Sequence, residues 1–484
     1  MKRKVFACII LFFTSLVIGQ NEIKIHYTVD LTRIESDSFY VMLNVEGIKT
    51  DSIVFQFAST APGAYEVMNV GRFVGNFEAF DYSDELLKIY RKDVNQYVIY
   101  NAKSLGKIQY QVEDSYDTNI KEFPIFSAAG SNLEKDNVVI NGQMVFGYFQ
   151  GYQENPVTVN FNYPKDWLVG TALPTEDGKY FAEDYDRLVD SPLMIGELTK
   201  STLEISDTKV DVYCYSQNKV ITASIIADTL EPIVKAVEKF LGALPVKHYA
   251  FLFHFRKDVQ GGALEHNYSS YYAMPEDDIT QLLESLLPTA SHEFCHIVTP
   301  LHIHSDIIEQ FNFEKPVASR HLWFYEGVTN WMESTSRLRG GLISEADFFD
   351  EIISSSLRTS TRLFDSTVSL IESSLGCYNE YEFEWYHAYS RGGLVGLLLD
   401  LKILELSDYK VGLKDVIIKL LNEYKTKSFP DEKFFNIIVE HSYPEIREIL
   451  ERYVGGTDAL PMKEYLDKIG YDYIPEVKTG KQEA

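Results

Sequence analysis

From Asn21 to about Lys200 the chain runs in short segments where apolar and polar residues alternate, as in Ile23-Lys24-Ile25-His26-Tyr27-Thr28-Val29. Successive side chains of a strand point to opposite faces, so a period of two predicts half-buried β-strands. Residues 39–45, 53–57, 96–100, 108–112 and 157–161 repeat the pattern, and Pro62-Gly63 marks a turn between such runs. Residues 20–200 are therefore expected to form an all-β domain, a sandwich or a twisted sheet.

Beyond Ser201 the period changes. Ile225, Ile226, Leu230, Ile233, Val234, Val237 and Leu241 recur at helical spacing between residues 223 and 241. A short strand at 249–255 precedes Gly261-Gly262, and helical patterns return at 393–404 and 413–424. The expected architecture is multidomain α+β: the N-terminal all-β domain, a mostly α-helical domain over 201–465, and a C-terminal tail over 466–484 that ends in loose polar residues. There is no internal repeat.

A length of 484 residues suits two or three units, and 45 % apolar with 24 % charged residues is enough for cores without disulfide staples. The first nineteen residues read as a secretory signal peptide, with Lys2, Arg3 and Lys4 before an apolar run over 5–18 and a small residue, Gly19, at the cleavage point. A membrane anchor is the competing reading, but the run is shorter than the ~20 residues a spanning helix needs. The protein is thus expected to be exported, periplasmic or secreted, with no stable membrane insertion after signal removal. Cys214, Cys295 and Cys377 then remain, an odd number that allows at most one bridge. Acidic residues outnumber basic ones by 71 to 45, which argues against nucleic acid as a partner.

The chemistry sits in Ser291-His292-Glu293-Phe294-Cys295-His296, an H-E-x-x-H sequence. On a helix its two histidines project from one face a turn apart, so both imidazoles can reach one zinc ion. Glu293 is angled towards a water on that ion without ligating it, as a general base must be, and Phe294 falls on the opposite, buried face. Pro288 near the expected helix start and Thr299-Pro300 past the second histidine bound the helix.

A catalytic zinc takes three protein ligands and leaves one position open. Glu326 is the one acidic residue in Trp323-Phe324-Tyr325-Glu326-Gly327-Val328-Thr329-Asn330-Trp331, and a carboxylate among aromatics is costly unless it binds a cation or is well hydrogen-bonded. It is the expected third ligand, with Asn330 a candidate for a hydrogen bond to a ligating histidine. Cys295 would close the site if it ligated, so it is expected to be a buried free thiol, and His302 and His304 to be loop or supporting residues. His387 is a candidate to line the cleft.

With these residues in view the chain resembles the glycyl aminopeptidase family of gluzincin zinc metallopeptidases, related more distantly to thermolysin and leukotriene hydrolase type enzymes. Ala61-Pro62-Gly63-Ala64-Tyr65 is similar to the family's P-G-x-Y turn, and Asp186-Arg187-Leu188-Val189-Asp190-Ser191-Pro192 to its D-x-L-V-D-S-P segment. Gly262-Ala263-Leu264-Glu265-His266, the H-E-x-x-H, Glu326-Gly327 and Tyr389-Ser390-Arg391-Gly392 continue the likeness in order, so that it spans about residues 24 to 465. The resemblance implies a thermolysin-like catalytic domain. It also implies a Gly262–Glu265 strand that binds substrate, with Glu265 holding the free α-amino group, and Tyr389 donating to the oxyanion.

Two features depart from the family pattern. After His296 relatives usually carry a Trp and a basic stretch, where this chain has Ile297-Val298-Thr299-Pro300-Leu301-His302, and a C-terminal PDZ domain is not expected after residue 465. The expectation is a one-zinc aminopeptidase acting on peptides, with Gly or Ala as the preferred N-terminal residue by resemblance. Two alternatives stand beside it: an endopeptidase of the same chemistry with a cleft open at both ends, and a non-catalytic exported protein that grips peptide or glycan.

Overall fold

A computed structural model describes residues 23–474, apart from 34–35, 121–122, 278, 358, 360–366 and 379–385. The expected signal peptide and the polar end at 476–484 lie outside the described residues.

The alternating half is β-rich, as its period requires. Strand Lys24–Asp30 pairs antiparallel with Ser38–Glu46 and parallel with Val157–Asn162 inside a seven-stranded sheet. Its inward residues, among them Tyr27, Val29, Val41, Leu43, Ile108 and Tyr110, are at most 2 % exposed. That face packs through aromatic rings on a four-stranded sheet containing Ser52–Gln56 and Gln96–Tyr100: Tyr110 meets Phe57 edge-on with centroids 5.1 Å apart. Each strand thus buries every second side chain in one core between two sheets. A further four-stranded sheet holds Asn137–Ile140 and Leu193–Gly196, bringing the chain to the second half.

Where the sequence suggested helices from residue 201, two more strands come first, Thr199–Ile205 and Thr208–Ser216. With His248–Arg256, Ser269–Pro275 and Gly262–His266 they build a five-stranded sheet in which Gly262–His266 lies at the edge. Thr208–Ser216 escaped notice because it is covered on both faces: Val210 to Ser216 are all buried, so no alternation of burial marks it. Helix Ala223–Leu241 covers one face, capped by Thr222 at its start and by Gly242 in the left-handed region, φ 88°, at its end.

The remaining core is helical, with Ile279–Cys295, Thr329–Gly340, Tyr386–Leu406 and Leu413–Tyr424 packed into one apolar cluster with the sheet. Pro288 is a correction: the helix begins at Ile279 and Pro288 lies inside it, not near its start. The final described helix, Met462–Lys468, buries Met462, Tyr465 and Leu466 and runs across the expected junction at 465. Among the described residues no helix is long and apolar enough to cross a membrane.

Candidate active site

Packing on one side of the motif helix decides what the other side offers. Phe294 is fully buried and meets Tyr249 edge-on at 5.0 Å and Phe251 at 5.7 Å, while Cys295 is buried beside it as a free thiol. The opposite face then presents His292 and, in the turn that follows Cys295, His296. Facing them is Glu326, 1 % exposed, in a π-helical turn over Trp323–Val328 that leads into helix Thr329–Gly340.

The three side chains form a small triangle. His292 Nε2 and His296 Nε2 are 3.1 Å apart, and Glu326 Oε2 lies 3.3 Å from the first and 3.5 Å from the second. Ligand atoms about 2.0–2.1 Å from a tetrahedral zinc stand about 3.3 Å from each other, so the triangle has the dimensions of one face of such a site. Protonation agrees. His296 Nδ1–H donates to the Thr299 carbonyl at 2.8 Å, which leaves Nε2 as a bare lone pair, and burial pushes this imidazole down towards its neutral form. Two nitrogens held nose to nose around a carboxylate suit a bridging cation.

Glu326 is buried, which works upward on its carboxyl, but His296 and His292 and the Tyr65 hydroxyl together hold it below the usual range. Tyr65 donates to Glu326 Oε1 at 2.6 Å, leaving Oε2 to the histidines. This contact is one that the sequence did not disclose: Tyr65 belonged to a recognised turn, but nothing local ties it to a residue in the other half. Gly63 in the same turn has φ 73°, and a Cβ there would stand 3.1 Å from Glu265 Oε1, so the turn lies close against both carboxylates.

Glu293 and Glu265 come to the same place, and with His296 they offer donor atoms all within 4.8 Å of one another. Burial, then the charges of Glu265 and Glu326, raise Glu293 well above the ordinary carboxylate range. Burial, then Glu326, pushes Glu265 up to about 8. Tyr389, near the start of helix Tyr386–Leu406, stacks on His292 with centroids 5.8 Å apart. Burial and then Glu326 raise its phenol far above its ordinary value, so it remains a hydrogen donor. Gly262 lies on the edge strand before Glu265, where the Phe126 ring leaves no room for a Cβ.

Asn330 does not reach a histidine. Its side-chain amide donates to the Tyr389 carbonyl at 3.2 Å, tying the two helices together. His302 and His304 are held by backbone carbonyls, Ile297 at 2.6 Å and Pro300 at 2.8 Å, and His387 is buried, pushed down to about 4 by burial and then Arg391.

Residues 26–197 match the family model described as Peptidase M61 N-terminal domain, and residues 285–395 match the one described as M61 glycyl aminopeptidase. Among solved structures, an aminopeptidase N family protein from Idiomarina loihiensis superposes with a TM-score of 0.80 at 20 % identity, over 92 % of this chain and 78 % of that one. An M1 zinc metallopeptidase from Deinococcus radiodurans gives 0.53 at 12 % identity, over 92 % and 96 %. The yeast LTA4 hydrolase gives 0.55 at 14 %, over 91 % and 69 %. At these identities the likeness is one of fold. No curated protein matches the chain in sequence.

Proposed function

Because the chain belongs to the M61 peptidase family, we propose that it is an exported zinc aminopeptidase that releases the N-terminal residue of peptides. The observation that carries this reading is the triangle of His292, His296 and Glu326 at 3.1, 3.3 and 3.5 Å with the carboxyl of Glu293 beside it. His292, His296 and Glu326 would hold the ion. Zinc so bound supplies Lewis acidity, which makes a water more acidic and polarises a carbonyl.

The chain's own groups then have distinct tasks. Glu293 takes the proton of the attacking water and returns it to the leaving amine, its carboxyl standing beside the His296 end of the triangle. Tyr389 keeps its proton and donates it in a hydrogen bond to the carbonyl oxygen as that oxygen gains charge. Glu265 receives the substrate's ammonium, whose positive charge restores the ionised form that burial opposes. The edge strand Gly262–His266 offers unpaired backbone groups to an extended peptide. The Phe126 ring packed against Gly262 leaves no room for a side chain there. The resemblance carries Gly and Ala as favoured N-terminal residues.

Digestion of a peptide library tests the reading. Free-amine peptides are expected to lose their first residue, a chelator to stop the reaction, zinc to restore it, and N-acetylated peptides to survive. Equal cleavage of acetylated peptides would reassign Glu265 and favour an endopeptidase. Absence of stoichiometric zinc after dialysis, with no cleavage, would favour a binding protein.

A further inference from the structure

Glu265 is the last residue but one of Gly262–His266, a strand that pairs on one side only, with Ser269–Pro275. The free side of such a strand gives it no support, so its position depends on what fixes its end. That end is a turn of two residues, Asn267 and Tyr268, joining His266 to Ser269. Tyr268 has φ 63°, a left-handed backbone that a bulky side chain adopts at a cost and keeps only where its surroundings hold it.

The surroundings come from the stretch Asp186 to Pro192, one of those that resemble the family pattern. Asp190, at the end of the helix Tyr185–Val189, accepts His266 Nδ1–H at 2.8 Å on one carboxylate oxygen and the Asn267 backbone N–H at 2.9 Å on the other. Arg187 donates to the Asn267 carbonyl at 2.6 Å and to the Ala172 carbonyl at 3.0 Å, and its guanidinium lies over the Tyr268 ring at 4.8 Å. The Ser191 hydroxyl donates to the Arg187 carbonyl at 2.7 Å, which ties the two ends of this stretch together. Both backbone polar groups of Asn267 and the ring of His266 are thus held by one neighbouring element.

The residue next to this clamp is the one with most need of it. Glu265 shares its site with Glu293 and with Glu326, whose like charge works against a fixed, ionised carboxylate there. From another direction the turn at Gly63 approaches so closely that a Cβ would stand 3.1 Å from Glu265 Oε1. We propose that Asp190, with Arg187 beside it, is the positioning group of the amine anchor: it fixes His266 and Asn267 so that the adjacent Glu265 meets the free α-amino group of the substrate. The assignment rests on the aminopeptidase reading, in which Glu265 is that anchor. It also gives the β-rich half a part in substrate selection, because Gly63, Arg187 and Asp190 all belong to residues 26–197.

The test uses the full zinc-loaded chain and two coumarin amides, glycyl and glycolyl, in which only the ammonium is exchanged for a hydroxyl. Wild type is expected to favour the glycyl amide in kcat/KM by roughly 100-fold or more, since a buried anion discriminates against a substrate that lacks the charge. Asp190→Ala is expected to narrow that preference by roughly 10- to 100-fold, mainly through a higher KM for the glycyl amide and with zinc retained; a displacement of about 1 Å suffices for such a loss. Asp190→Asn keeps one acceptor oxygen for two N–H groups and should fall between the two. A part played only in folding would lower both amides alike. An unnarrowed preference in the variants, or an unchanged KM for the glycyl amide in Asp190→Ala, would therefore overturn the assignment and leave the aminopeptidase reading intact. If Asp190→Ala does not fold, Asp190→Asn decides on the same ratio. Wild type that hydrolyses both amides equally, or neither, removes Glu265 as the amine anchor, and this assignment falls with it.

Discussion

Glu326 illustrates how single residues divide the labour in the candidate site, because each of its oxygens has its own partner. Oε1 accepts the Tyr65 hydroxyl at 2.6 Å and Oε2 faces His292 and His296. A partner that orients a ligand commonly changes metal affinity about 10–100-fold, so Tyr65→Phe is expected to weaken zinc binding by that factor. Competition with a chromophoric chelator measures it, and an unchanged dissociation constant would remove Tyr65 from the role. Glu293 has a different kind of task. Glu293→Gln keeps the shape but cannot take a proton, so zinc content is expected to stay at one per chain while kcat falls by about 10²–10⁴. Elemental analysis beside steady-state kinetics reads both, and full turnover in the variant would exclude Glu293 as the base.

Elements meet in this site where glycine lets backbones touch. A Cβ on Gly327 would stand 2.4 Å from the Gly392 backbone, and one on Gly392 would stand 2.9 Å from the Trp323 carbonyl. The π-helical turn that carries Glu326 therefore lies directly on the helix that carries Tyr389, and the spacing of the two functional side chains depends on that contact. Gly327→Ala forces the elements apart. Overpacking of this kind costs about 1–3 kcal/mol, expected as a lower denaturant midpoint. Turnover should fall further than metal affinity, because Tyr389 moves relative to the triangle more than the triangle deforms.

The two halves of the molecule are joined by buried polar contacts, and these make its stability depend on pH. His254, on the central strand His248–Arg256, donates Nε2–H to Asn137 Oδ1 at 2.8 Å across the junction, and Arg256 reaches Asn132 at 2.7 Å and Glu134 at 2.9 Å. Burial, then the Arg256 charge, drives His254 down to about 3, with Asp258 opposing weakly. An unfolded chain protonates the same imidazole near pH 6.5, so between these values the unfolded state holds the extra proton. The contribution of His254 is accordingly full above about pH 6.5 and is lost as pH falls towards 3. Urea unfolding across that range should show a shallower decline for His254→Gln than for wild type; parallel curves would mean that other groups set the acid limit.

Sequence periodicity carried far in elements whose two sides differ. Helices Ala223–Leu241 and Leu413–Tyr424 were legible because one face is buried and one is wet, and the early strands because every second residue is. The strand Thr208–Ser216 was not legible, since both of its faces are covered. In the candidate site, His292, Glu293 and His296 are neighbours in the chain, and the local geometry of the helix end and the turn after it brings them together. The partnership of Tyr65 with Glu326 and the close approach of Gly63 to Glu265 join segments that lie far apart in the chain. Such contacts arise from how two separately packed cores settle against each other, and no local pattern of residues encodes that fit.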